Sequence, residues 1–297
     1  MHITENMNAL WLRKRKAKLN PVAIRFYILL GLAIIMVLIS LLAPYITPND
    51  PYATDIKFRR LPPSEHFLFG TDGHGRCILS RVLVGARTSI FAALSLVVGT
   101  FVVGTMIGCF SGYYGGVIDT IFMRLADILL AFPDIILAIA VAGILGGGLT
   151  NAMLALALTG WTQYARLARS NVLAIREETF VQASRLGGNS NMRIIFRHIL
   201  PNIMGPLVVT ASLQIGGMMM GIAGLSFLGL GVQVPQAEWG SMISEGRSYL
   251  QIAPWTVLYP GVVMMMTIIL FNLLGDALRD LLDPKGQGEI FNKNQDR

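Results

Sequence analysis

Charge is what this sequence has least of: only 14% of its 297 residues are Asp, Glu, Lys or Arg, where soluble domains carry roughly 25%. With 54% of its residues hydrophobic, such a chain is written for lipid, not for a water-facing surface. Cysteine is scarce too. Two thiols, Cys77 and Cys109, exclude a disulfide-framed secreted module and a zinc ribbon, which need more cysteines at closer spacing. No G-x-x-x-x-G-K-[ST], H-E-x-x-H or G-x-S-x-G string occurs, so the phosphate loop and the two commonest hydrolase sites are missing and no enzyme is expected. The net charge of +7 bears first on membrane orientation, and no nucleic-acid partner is expected.

What is present is a series of apolar runs, each close to the roughly 20 residues that cross the hydrocarbon as a helix. Six are expected to span: Ile24–Ala43, Thr88–Phe110, Ile128–Leu145, Leu149–Tyr164, Ile203–Ala223 and Trp255–Leu274. The first follows a tail carrying Arg13, Lys14, Arg15, Lys16 and Lys18, which places the N-terminus inside by the positive-inside rule. The inner segments then hold Arg124, the run from Arg166 to Arg197, and Arg279, Lys285, Lys293 and Arg297. The first outer segment, with Lys57, Arg59, Arg60, Arg76, Arg81 and Arg87, dissents, but it is about forty residues long, near the length at which charge stops fixing orientation. Both termini are expected inside, with Cys77 outside, Cys109 near the inner face, and the two unpaired.

Ionisable residues are nearly missing from these runs. A transporter driven by protons or sodium keeps such residues in its helices because they are costly in lipid and do the work. Only Asp134 intrudes, just after Pro133, and a helix-end carboxylate explains it as simply. The driving energy is therefore expected from another chain. Gly104, Gly108, Gly112 and Gly116 recur every fourth residue, a face on which another helix can approach closely, while Gly112–Gly116 also reads as a turn into the first inner loop. Met218, Met219 and Met220, with Met265 among the methionines of the last run, are candidates to line a route for a soft metal or an adaptable cargo, although helix packing is the plainer explanation.

Between the fourth and fifth runs lie about forty inner residues, enough to need structure of their own. Arg176–Leu186 reads as a helix, Gly187 and Gly188 stop it, and Asn189, Ser190 or Asn191 caps a second short helix before Pro201. Ala183 and Ser184 leave a shallow seat, and Phe180 and Leu186 offer apolar anchors. An amphipathic segment lying on the bilayer accounts for the same pattern. On the outer side, 225–254 is too polar and glycine-rich to cross and is expected to pack on the outer mouth as a gate, with Phe227 and Trp239 as its large residues. His66 and His74 with Asp72 suggest an outer metal site, although loop histidines are more often merely solvated.

The inner segment resembles the cytoplasmic signature of bacterial ABC importer permease subunits, specifically the dipeptide, oligopeptide and nickel branch: E-A-A, three residues, G, nine residues, I, one residue, L-P. Here it reads Gln182-Ala183-Ser184, then Gly188, then His198-Ile199-Leu200-Pro201, with Gln182, Ser184 and His198 departing from the pattern. Phe69–Asp72, Met123-Arg124 with Asp127, Phe132-Pro133, Leu225–Gly231, Trp239-Gly240 and Asn272–Asp280 with Asp283-Pro284 are similar to further strings of that branch. The resemblance implies an all-α membrane protein of six transmembrane helices with cytoplasmic termini. It divides into a tail 1–23, a permease domain 24–284 with a coupling loop 165–202 and an outer gate loop 225–254, and a tail 285–297.

It further implies a multi-pass subunit of the bacterial cytoplasmic membrane, in contact with lipid and a homologous second permease. Two ATPase subunits, which hold the ATP and magnesium, and an external solute-binding protein complete the set; no cofactor is expected in this chain. Phe180, Gln182, Ala183, Ser184, Arg185, Gly188, His198, Leu200 and Pro201 would form the ATPase-coupling surface. Strings such as Ala183–Leu186 and Ala237–Gly240 look closer to the nickel permeases than to the peptide ones, so nickel, free or chelated, is the expected cargo and a dipeptide or oligopeptide the alternative. Two other classes stay open from the residues alone: an intramembrane hydrolase and a signalling scaffold.

Overall fold

The computed structural model describes residues 21–282. Both tails, including the basic run Arg13–Lys18 and the Asp283-Pro284 pair, lie outside the described residues. The described chain is almost wholly helical: α1 (Pro21–Ile46), α2 (Ile78–Tyr114), α3 (Gly116–Leu130), α4 (Asp134–Ile144), α5 (Leu149–Ile175), α6 (Thr179–Leu186), α7 (Asn191–Ile194), α8 (Leu200–Phe227), α9 (Trp239–Gly246) and α10 (Trp255–Leu282). Four rods, α1, α2, the continuous Asn191–Phe227 and α10, are long and apolar enough to cross a membrane, and α3 with α4 makes a fifth if the bent pair counts as one span.

Local chemistry moves several expected boundaries. The third run does not cross as one helix, because Pro133 has no N–H to continue the ladder and the chain turns by 92° between α3 and α4. Asp134 is therefore the first residue of α4, at the bend, not one or two turns inside a continuous helix. The expected turn at Gly112 begins later: α2 runs through Tyr114 and breaks at Gly115 and Gly116, both at positive φ. The fourth run continues well past Tyr164, to Ile175, carrying Arg166 and Arg169 on a helix where a loop was expected. Nor does Pro201 end a helix. It sits at the start of α8, just after a π-helical turn over Ile195–Ile199, a wider turn that lets α7 and α8 form one rod.

The bundle is built on α2 and α5. A Cβ on Gly104 would collide with the Trp161 carbonyl, and one on Gly108 with the Ala165 carbonyl and the Ala168 side chain; on Gly112 it would stand 2.8 Å from Val172 Cβ. Those three glycines thus let two backbones touch, as their spacing predicts, whereas Gly116 has open space around it. An inner core gathers Cys109, Ala168, Val172, Val181, Ile194, Ile195 and Ile199, and an outer one gathers Ile90, Leu96, Met219, Leu225 and Trp239 with their neighbours. Both cysteines are buried and free. Gly108→Val should cost about 1–3 kcal/mol by forcing the helices apart, while Gly99→Ala, where nothing lies within 4 Å, should be neutral; thermal unfolding of the detergent-purified protein checks both, and equal midpoints would contradict the stripe.

Candidate functional site

At the end of the bundle expected to face inward, the chain leaves α5 and forms an elbow of α6, a tight turn and α7. The Gly188 N–H donates to the Arg185 carbonyl at 3.1 Å, and the Asn189 N–H reaches back to the Ser184 carbonyl at 3.3 Å. That pairing needs a left-handed residue, and Gly188 supplies it with φ +75. The Ser190 hydroxyl then accepts the Arg193 N–H and caps α7. Val181 is fully buried in the inner core and fastens the elbow to the bundle. Tyr113 grips it from α2, donating to Asn191 Oδ1 at 3.0 Å and lying under the Arg185 guanidinium.

The expected coupling residues therefore separate. Phe180, Gln182, Ala183, Arg185 and Gly188 are exposed on the elbow, and Leu186 at its tip is 90% exposed. Ser184 is buried, its hydroxyl accepting from the Asn189 amide. His198 and Leu200 are half-buried and Pro201 is exposed beyond the π turn. Three inner arginines do bracing work. Arg169 binds Asp119 through two nitrogens at 2.5 and 2.6 Å, Arg166 binds Asp127 at 2.5 Å, and Arg176 donates to the Gly112 carbonyl. They lash α3 and the end of α2 to α5 with charge-assisted bonds.

Along α5 and α8, beside the bend between α3 and α4, lies a cavity of about 530 Å³ whose walls include Asp134, Thr159, Gln163, Arg166, Gln214 and Met218. The Gln214 amide donates to Gln163 Oε1 across it. Of the expected pathway methionines only Met218 lines this cavity. Met219 is buried in the outer core, and Met220 and Met265 are exposed elsewhere.

The outer gate residues also part company. Phe227 is exposed, stacked under Arg247, but Trp239 is fully buried, its ring N–H donating to the Val82 carbonyl at 3.0 Å. Trp239 anchors α9 against α2 instead of presenting a gate surface. Buried Glu238 caps α9, accepting the Gly240 and Ser241 N–H groups and the Ser89 hydroxyl. Asp72 and His74 come together with Glu245, not with His66. Two fully buried guanidiniums are already there: Arg76 pairs with Asp72 at 2.6 Å and with Glu245, and Arg81 lies 3.6 Å from Asp72. Two arginines against two carboxylates leave no net negative charge for a cation, so this cluster is an ion-pair clamp between the outer segment and α9. Sequence reading did not assemble it. The usable signal was a set of charges at the borders of apolar runs, which must find partners when buried.

The model for the family described as "Binding-protein-dependent transport system inner membrane component" matches residues 104–286. The chain belongs to that family. This permease is 45% identical over 91% of its length to the dipeptide transport system permease protein DppC of Alkalihalophilus pseudofirmus, covering 88% of that protein. It is also 45% identical to the probable D,D-dipeptide permease DdpC of Escherichia coli, over 86% of both chains, and 42% identical to the nickel permease NikC of that organism, over 88% of this chain and 95% of NikC. A solved structure of the MetNI methionine ABC transporter in inward-facing conformations shares the fold at a TM-score of 0.52 and 19% identity, covering 68% of this chain and 96% of that one. The permease is thus a membrane subunit of the dipeptide and nickel branch of ABC transporters. Glu245→Gln, which leaves two buried arginines short of a carboxylate, should lower stability by about 3 kcal/mol; an unchanged melting temperature in detergent would show the clamp to be weightless.

Proposed function

We propose that this permease forms half of the translocation pathway of an ATP-driven importer in the bacterial cytoplasmic membrane, paired with a homologous permease. It is served by an external solute-binding protein and by two ATPases that hold the ATP and magnesium. In this reading α1, α2, the bent α3 and α4, α5, the rod of α7 and α8, and α10 make six crossings with both termini cytoplasmic. The observation that carries it is the elbow: Leu186 held out at the tip before a capped turn, with Phe180 exposed at the start of the same short helix, while Val181 anchors its root. Apolar side chains raised on a rigid turn are what a partner cleft would take up, and closure of an ATPase pair would then reach the bundle as a rigid-body tilt.

For the cargo, the cavity supports a small organic molecule such as a dipeptide over free nickel, because its walls carry no histidine or cysteine and nickel is best held by imidazole and similar nitrogen donors. Nickel inside an organic chelate would meet the same walls, and the NikC likeness keeps it as the second reading. Selectivity would then lie mainly in the binding protein. Gly188→Asp tests the coupling role. A side chain there is strained at φ +75 although space is open around it, so membrane insertion should persist while uptake in proteoliposomes falls by at least about tenfold, equivalent to 1.4 kcal/mol. Full transport with normal ATPase stimulation would overturn the reading.

A further inference from the structure

Around the α4, α5 and α8 cavity the polar groups are settled among themselves, with one exception. Arg166 is engaged by Asp127 at 2.5 Å, Gln214 donates to Gln163, and the Thr162 hydroxyl donates to the Thr159 carbonyl at 2.7 Å. The Asp134 carboxylate is exposed at the cavity wall and has no hydrogen-bond or ion-pair partner among the described residues. As the first residue of α4 it stands at the N-terminal end of that helix. The cavity lies well inside the lengths of α5 and α8, from Leu156 to Arg166 on one and from Gln214 to Gly221 on the other. A carboxylate that no side chain neutralises gives this part of the cavity wall a negative field, which draws a cationic group to it.

We propose that Asp134 is a specificity-determining residue of the pathway, the counter-charge for an ammonium group on the passing cargo. The proposal rests on reading this cavity as part of the route. Both an ammonium and a metal ion would answer a negative wall, but the donors beside Asp134 are amide and hydroxyl oxygens with no imidazole or thiolate, a set that suits an ammonium better than nickel.

The test uses the assembled importer in proteoliposomes, with Leu130→Cys as a reporter on the cavity wall, both native cysteines being buried. Cationic and anionic methanethiosulfonate reagents are compared for rate, and initial uptake of dialanine and of nickel chloride is measured alongside. Asp134→Asn should lower the cationic-to-anionic rate ratio and the dialanine uptake by roughly tenfold each, with Asp134→Glu restoring both. Should the Asn variant fail to assemble with its partners, Asp134→Ser carries the same comparison. Reaction with neither reagent would overturn the pathway reading, and the proposal with it. Reaction with both, but with ratio and uptake unmoved by Asn, would overturn the role of Asp134 alone. Nickel uptake without dialanine uptake in the unsubstituted importer would overturn the ammonium assignment.

Discussion

Backbone contact between α2 and α5 is the constraint on which the rest of this permease depends. Where Gly104, Gly108 and Gly112 remove side chains, the two helices lie against each other with no room for a methyl group. That contact fixes where α5 ends, and so where the elbow leaves the bundle. It also brings the Gly112 carbonyl to Arg176 and Tyr113 to Asn191 and Arg185. In lipid, where apolar surface has little reason to leave apolar surroundings, close packing of this kind supplies the association that water would otherwise drive.

Charge follows a consistent rule in the structure. Arg76 and Arg81 are fully buried and face Asp72 and Glu245, while Arg166 and Arg169 reach Asp127 and Asp119. The clamps sit at opposite ends of the bundle. One fastens the outer segment to α9, and the other fastens α3 to α5 above the elbow. Breaking the buried outer pairs leaves a stranded charge, so they hold their segments in register, whereas the half-exposed Arg166 and Asp127 contribute less. Asp134 stands at the cavity wall outside either set of pairs.

Legibility in the sequence followed the physics of each element. The apolar runs announced α1, α2, α8 and α10 because charge is expelled from hydrocarbon. The elbow turn was readable because Gly188 and Ser190 are the residues that end and begin helices. The bend at Pro133 was hidden because one proline and one aspartate leave the third run apolar enough to read as a single helix, and α5 outlasted its own hydrophobicity because its arginines found aspartates on α3. Trp239 read as a gate because an aromatic in a polar segment looks exposed, whereas the chain folds it under α2. The Arg76 and Glu245 pairing joins residues 169 positions apart, and no local periodicity carries that information. The family signature located the elbow, while its division into exposed and buried members needed the fold.

We propose that this elbow seats in a partner ATPase on the cytoplasmic side. Leu186→Cys, at the most exposed point of the tip, tests it directly by thiol labelling of inside-out and right-side-out vesicles with a membrane-impermeant reagent, before and after the ATPase subunits are added. The account predicts labelling only from the cytoplasmic side and protection once the ATPases bind. Labelling from the outside, or labelling that the ATPases leave unchanged, would contradict it.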